Sequence, residues 1–183
     1  MTPLSRMGPL ANFLLYQLAW FACIMGAGSG QPWIGVGTAL LVIALHLGLS
    51  HSAATELKII LLTGLIGGLW EGLIVSQGWV LYAGGSSTNF PPAWIVALWL
   101  AFATTFNVSL RWLQGRHGLS AALGLIGGPL AWFAGSRMGA LELPDLKLDL
   151  LVIGVGWAVL MPVLLLLARR LTEPTTRRET LEN

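Results

Sequence analysis

Six apolar runs of about 20 residues constrain this chain more than any other feature: Leu10–Gly28, Pro32–Ser50, Lys58–Gly78, Pro92–Leu113, Gly118–Met138 and Asp149–Ala168. Each is near the length a helix needs to cross a hydrocarbon layer about 30 Å thick. Lipid offers no partner to a free backbone amide, so each run is predicted as a helix, since strands would have to close into a barrel. A barrel alternates apolar and polar residues, and Leu40-Leu41-Val42-Ile43-Ala44-Leu45 does not. The expected fold is an all-α, polytopic transmembrane bundle of about six spans. Composition agrees: 10% of residues are charged, against about 25% in a soluble domain.

The charges that remain report topology. With the N-terminus inside, the inner segments hold Arg6, Lys58, Arg111, Arg116, Arg169, Arg170, Arg177 and Arg178, and the outer ones only Arg137 and Lys147. Both termini are therefore expected to be cytoplasmic. The formal charge of +2 does not signal a nucleic-acid partner, because the basic residues stand singly between apolar runs until the tail. A lone Cys23 excludes an internal disulfide and any CxxC arrangement. Arg6 before an apolar run ending in Gly26-Ala27-Gly28-Ser29 has the outline of a secretory signal. The run exceeds the usual 7–15 residues and contains Asn12, Tyr16 and Gln17, so it reads as a span.

One integral membrane domain is expected over residues 1–168, with a polar tail at 169–183 that is disordered or lies on anionic headgroups. Two outer connections are longer than the rest: Trp79–Pro91, with Gly84-Gly85-Ser86-Ser87, and the acidic Ala140–Leu148. Gly64-Leu65-Ile66-Gly67-Gly68 recurs as Gly124-Leu125-Ile126-Gly127-Gly128. This echo fits a duplicated helical hairpin, although the commonness of Gly, Leu and Ile in membrane helices explains it more simply. Trp33, Trp79, Trp94 and Trp112 fall at span ends, where interfacial anchors are expected. Pro129 and Pro162 are expected to bend or break their helices.

Glu71 stands out among the polar residues. It lies thirteen positions into the third span, about 20 Å from the inner edge, too deep to snorkel. A charge at that depth costs about 2.5–3.5 kcal/mol on insertion scales. Glu71 follows Gly64 by seven residues and Gly68 by three, so it shares a side with small residues and should face protein. It reads either as a proton-binding or ligand-orienting carboxyl, or as a structural hydrogen bond or ion pair with Arg137. Whether it is an anion or a neutral acid stays open.

In the first span Asn12, Tyr16, Trp20 and Cys23 form a polar-aromatic stripe with Gln17 beside it. The stripe either lines a cavity or binds neighbouring helices. In the fourth, Thr104, Asn107 and Arg111 share one side and Thr105 and Ser109 another, with the hydroxyls expected on their own backbone carbonyls. Glu71, Asn12, Tyr16, Gln17 and Asn107 are the candidate ligand-binding residues; no catalytic residue is assigned. Gly64, Gly68, Gly124 and Gly128 form small-residue stripes suited to close helix approach, within one bundle or in a homo- or hetero-oligomer. His46, His51 and His117 form no HExxH or HxxxH pattern, so no metal site is assigned, and no cofactor is implied.

Several stretches together resemble a family of small polytopic inner-membrane proteins of Gram-negative bacteria, known only as a domain of unknown function. They are Asn12-Phe13-Leu14-Leu15-Tyr16-Gln17-Leu18-Ala19-Trp20-Phe21, Glu71-Gly72, Pro91-Pro92-Ala93-Trp94, Leu98-Trp99-Leu100-Ala101-Phe102-Ala103-Thr104-Thr105 and Gly127-Gly128-Pro129-Leu130-Ala131-Trp132. The resemblance extends to about Ala168 and implies a location in the bacterial inner membrane, without functional residues to carry over.

Three functions fit these residues: binding or transport of a lipid or small amphiphile between helices around Glu71, an accessory or scaffold subunit joined through the glycine stripes, and a membrane-embedded lipid-modifying enzyme. The first is favoured. An enzyme would need a partner group at the depth of Glu71, where no His, Cys or second carboxyl is expected.

Overall fold

The computed structural model describes residues 5–84 and 90–173. Six α-helices build it: α1 (Pro9–Gly28), α2 (Pro32–Leu49), α3 (Ala53–Ser76), α4 (Ala93–Ala103), α5 (His117–Arg137) and α6 (Leu146–Thr172). Five are long and apolar enough to cross a membrane; α4 is not. Two short strands, β1 (Leu81–Tyr82) and β2 (Leu141–Glu142), pair antiparallel with Leu81 opposite Glu142 and Tyr82 opposite Leu141. The chain is all-helical apart from this ribbon.

Helix starts follow local chemistry. Pro9 and Pro32 open α1 and α2, where the missing N–H is not needed. Asp145 caps α6 by accepting from the Leu148 amide, and the Asp149 carboxylate accepts from the Asp145 amide in return. Outward-facing side chains such as Leu41 and Leu69 are about 70% exposed, the arrangement expected where the surrounding solvent is acyl chain.

The bundle has two distinct ends. At the terminal end, Ser5 bridges Ser50, and Thr172 meets Asn107. At the hairpin end, α1 turns into α2 and the β1–β2 ribbon lies across the helices.

The fourth apolar run departs from the expected continuous span. Its helix ends at Ala103, passes through turns over residues 104–110, and finishes as a 3-10 turn at Arg111–Leu113. Hydroxyls of Thr104 and Thr105 bond the carbonyls of Ala101 and Phe102, each at 2.7 Å. The helix end is then satisfied from outside. Asn12 Nδ2 donates to the Thr104 carbonyl at 3.1 Å, and Asn12 Oδ1 accepts from the Ser109 amide and hydroxyl. Gln114 Nε2 donates to the Phe106 carbonyl at 3.0 Å. Irregular backbone at membrane depth is tolerated when protein covers it in this way.

Other boundaries also move. The third helix begins at Ala53, which brings Glu56 inside it. The sixth continues through Arg169 and Arg170, with Arg169 bonded to Glu173 at 2.7 Å. Most of the expected tail, residues 174–183, and Gly85-Ser86-Ser87 of the outer loop lie outside the described residues. Pro129 and Pro162 break neither helix; both sit inside continuous α5 and α6. Trp94 is no interfacial anchor, being 1% exposed with its indole N–H on the Ala83 carbonyl.

Glycines set the helix contacts. A Cβ on Gly64 would meet Leu100 of α4 at 2.3 Å, and one on Gly124 would stand 2.2 Å from the Trp157 carbonyl oxygen of α6. Gly128 lies beneath the Trp157 ring. These three positions pack against the chain's own helices, whereas Gly68 has open space. The repeated pentapeptides thus occupy equivalent places, each accepting the helix that follows its short strand.

Candidate functional site

Glu71 lies on α3 and is fully buried. Its two oxygens are held separately: Trp99 Nε1 of α4 donates to Oε1 at 2.8 Å, and the Tyr82 hydroxyl of β1 donates to Oε2 at 2.5 Å. Trp132 Nε1 of α5 donates to the Tyr82 hydroxyl at 2.9 Å. One carboxyl therefore ties α3 to β1 and α4 directly, and to α5 through Tyr82. Arg137 is exposed and is not among its partners, so the expected ion pair is absent among the described residues.

Tyr82 reaches this position because β1 is pinned to β2. The Ala83 amide donates to the Ala140 carbonyl at 2.9 Å, and Gly139 takes φ +79°, a conformation that suits glycine. Burial, with the Glu71 carboxyl next, raises the Tyr82 phenol well above its ordinary pKa. The phenol stays a hydrogen-bond donor.

Beside this hub a cleft of about 430 Å³ opens between α1 and α5, with α4 and α6 forming its floor. Tyr16, Gln17 and Trp20 line one wall; Gly124, Gly127 and Gly128 line the other; Trp99, Phe102, Trp132 and Trp157 line the interior. The interior aromatics cover one another. Trp99 and Trp157 stack at 4.9 Å and 19°, while Phe102 and Trp132 meet Trp157 edge-on at 5.5 and 5.6 Å. Trp99 and Trp132 thus face the cleft with their rings and donate their N–H groups toward Glu71 and Tyr82.

The sequence-derived candidates separate into three places. Tyr16 and Gln17 border the cleft, and neither has a hydrogen-bond partner among the described residues. Glu71 stands behind the cleft wall and does not line it. Asn12 closes the end of α4. Asn107 belongs to a separate buried cluster at the terminal end, donating to Glu56 Oε1 at 2.8 Å and to the Thr172 hydroxyl at 3.0 Å.

That cluster contains a pair the sequence reading missed. His46 Nε2 lies 3.0 Å from Glu56 Oε2, both residues are under 5% exposed, and His46 Nδ1 has no hydrogen-bond partner among the described residues. A carboxylate and an imidazole held together in the interior join α2 to α3. Placing Glu56 before the third span hid it, although Glu56 and Thr63, seven apart and both buried, share one face of α3.

Five apolar helices of spanning length around internally satisfied polar groups define the class: helical proteins able to cross a membrane several times. The chain belongs to the family described as "Protein of unknown function (DUF2878)", which matches residues 9–163. No curated protein matches it. No solved structure matches it either.

Proposed function

We propose that this is a multi-pass protein of the bacterial inner membrane, with both termini cytoplasmic, that binds a lipid or small amphiphile between its helices. The observation that carries the reading is the cleft itself. Its volume of about 430 Å³ falls in the range of about 300–1,000 Å³ typical of ligand sites. Its walls are apolar and aromatic, with Tyr16 and Gln17, which have no hydrogen-bond partner among the described residues, side by side on α1. Few convergent polar groups in an apolar concavity are the usual make-up of a small-molecule site.

In this reading Glu71 orients the wall rather than touching the ligand, through Trp99 directly and through Tyr82 to Trp132. The proposed orientation rests on charge. Arg6, Lys58, Arg111, Arg116, Arg169 and Arg170 flank the terminal end, and Arg137 and Lys147 the hairpin end. The scaffold alternative is weakened because Gly64, Gly124 and Gly128 are already occupied. The enzyme alternative has no ionisable side chain except Tyr16 in the cleft wall to work with.

Gly127 provides the test. It lines the cleft, and nothing lies within 4 Å of a Cβ built there, so Gly127→Phe occludes the site at little cost to packing. Mass spectrometry of protein extracted from its native membrane should find a defined molecule on the parent and none on the variant, at matched thermal unfolding. Equal retention by both, or only bulk lipid on the parent, refutes the reading.

A further inference from the structure

The chemistry of the cleft restricts what enters it. We propose that its ligand is an uncharged lipid whose polar end carries carbonyl oxygens that accept hydrogen bonds from the Tyr16 hydroxyl and the Gln17 amide; this rests on the ligand-binding reading above.

The wall holds no Lys, Arg, His, Asp or Glu. A phosphate or carboxylate buried there would lose its hydration and find no countercharge. The Glu71 carboxyl behind Trp99 offers an anion no countercharge either. A quaternary ammonium fares no better. It finds no countercharge in the wall, and the Trp99–Trp157 stack takes up one face of each of those rings.

What the cleft offers is a hydroxyl and a carboxamide, each able to donate a hydrogen bond. The Tyr16 hydroxyl and the Gln17 amide have no hydrogen-bond partner among the described residues. Donors without acceptors in apolar surroundings are costly, and a carbonyl oxygen satisfies them without bringing charge.

The shape suits an attached chain. Helices α1 and α5 approach at the hairpin end, where a Cβ on Gly28 would meet the Met138 carbonyl and one on Gly135 would lie 3.4 Å from Ile24. Toward the terminal end the cleft separates them. A hydrocarbon tail therefore leaves sideways into the acyl region. Isoprenoid quinones and diacylglycerols share this chemistry: neutral, carbonyl-bearing and long-chained.

The full-length protein in mild detergent is titrated with a long-chain benzoquinone, dioleoylglycerol, phosphatidylglycerol and dodecyltrimethylammonium, read by native mass spectrometry and tryptophan fluorescence. A neutral carbonyl probe is expected to bind, and which of the two binds distinguishes ring from glyceride. Tyr16→Phe and Gln17→Leu should each weaken it about fivefold, the worth of one hydrogen bond. Two independent substitutions keep the test open should one fail to fold. Binding of both neutral probes unchanged in both variants overturns the assignment of the donors. Preferential binding of phosphatidylglycerol or the ammonium probe, abolished by Gly127→Phe, overturns the ligand class and leaves the site standing. If no probe binds and no native molecule is retained, the site itself falls.

Discussion

Replacing Glu71 with leucine removes the only acceptor of two buried donors. Trp99 and Tyr82 are 2% and 8% exposed, so neither N–H nor O–H gains water in exchange. An unpaired buried donor costs about 1–3 kcal/mol, which puts Glu71→Leu at about 2–6 kcal/mol. Interhelical hydrogen bonds in membranes average nearer 0.6 kcal/mol, because the unfolded chain also finds partners there; the lower half of the range is expected. The sharper quantity is the coupling with Tyr82→Phe. Alone, that change deprives Glu71 of a donor and leaves the Trp132 N–H without its acceptor. Combined with Glu71→Leu, it deletes the hydroxyl that the first substitution had orphaned. The double variant should therefore be more stable than the two single losses added together, by about 1–2 kcal/mol. Reversible unfolding in mixed micelles, followed by tryptophan fluorescence and far-ultraviolet circular dichroism, measures all four corners of the cycle. Additivity within about 0.3–0.5 kcal/mol, the behaviour of independent sites, would show that Glu71 does not organise this wall.

Two further substitutions separate packing from polarity. Asn12→Leu leaves the Thr104 carbonyl and the Ser109 hydroxyl unsatisfied at the end of α4, so a loss of about 2–4 kcal/mol is expected in the same assay, and parental stability would mean that the broken fourth helix needs no external cap. Gly124→Ala drives a methyl against the Trp157 carbonyl and should cost about 1–3 kcal/mol, whereas Gly68→Ala meets open space and should be neutral or stabilising by up to about 1 kcal/mol; thermal unfolding of equal amounts of both variants compares them directly.

Amide and hydroxyl positions were readable as polar marks within apolar runs, but their partners were not. Asn12 and Asn107 look alike in the sequence, each an amide in a membrane segment. One closes a helix end and the other joins a carboxylate cluster. Hydropathy also concealed the break after Ala103, since Thr104-Thr105-Phe106-Asn107-Val108-Ser109 lies inside an apolar window. The signal was present in four residues whose side chains compete for backbone hydrogen bonds.

The sequence by itself determined that five of the six apolar runs fold as membrane-length helices, because backbone satisfaction in lipid is local. It also determined that Glu71 faces protein, because Gly64, seven residues earlier on its side, marks a helix contact. Only the tertiary structure decided what that carboxyl does. Trp99, Tyr82 and Trp132 lie 28, 11 and 61 positions away along the chain, and their convergence depends on β1 pairing with β2 and on ring packing against glycines. No one-dimensional pattern encodes such contacts. The separation of Glu71 from the cleft has the same origin: two indoles stand between them, placed there by α4 and α5.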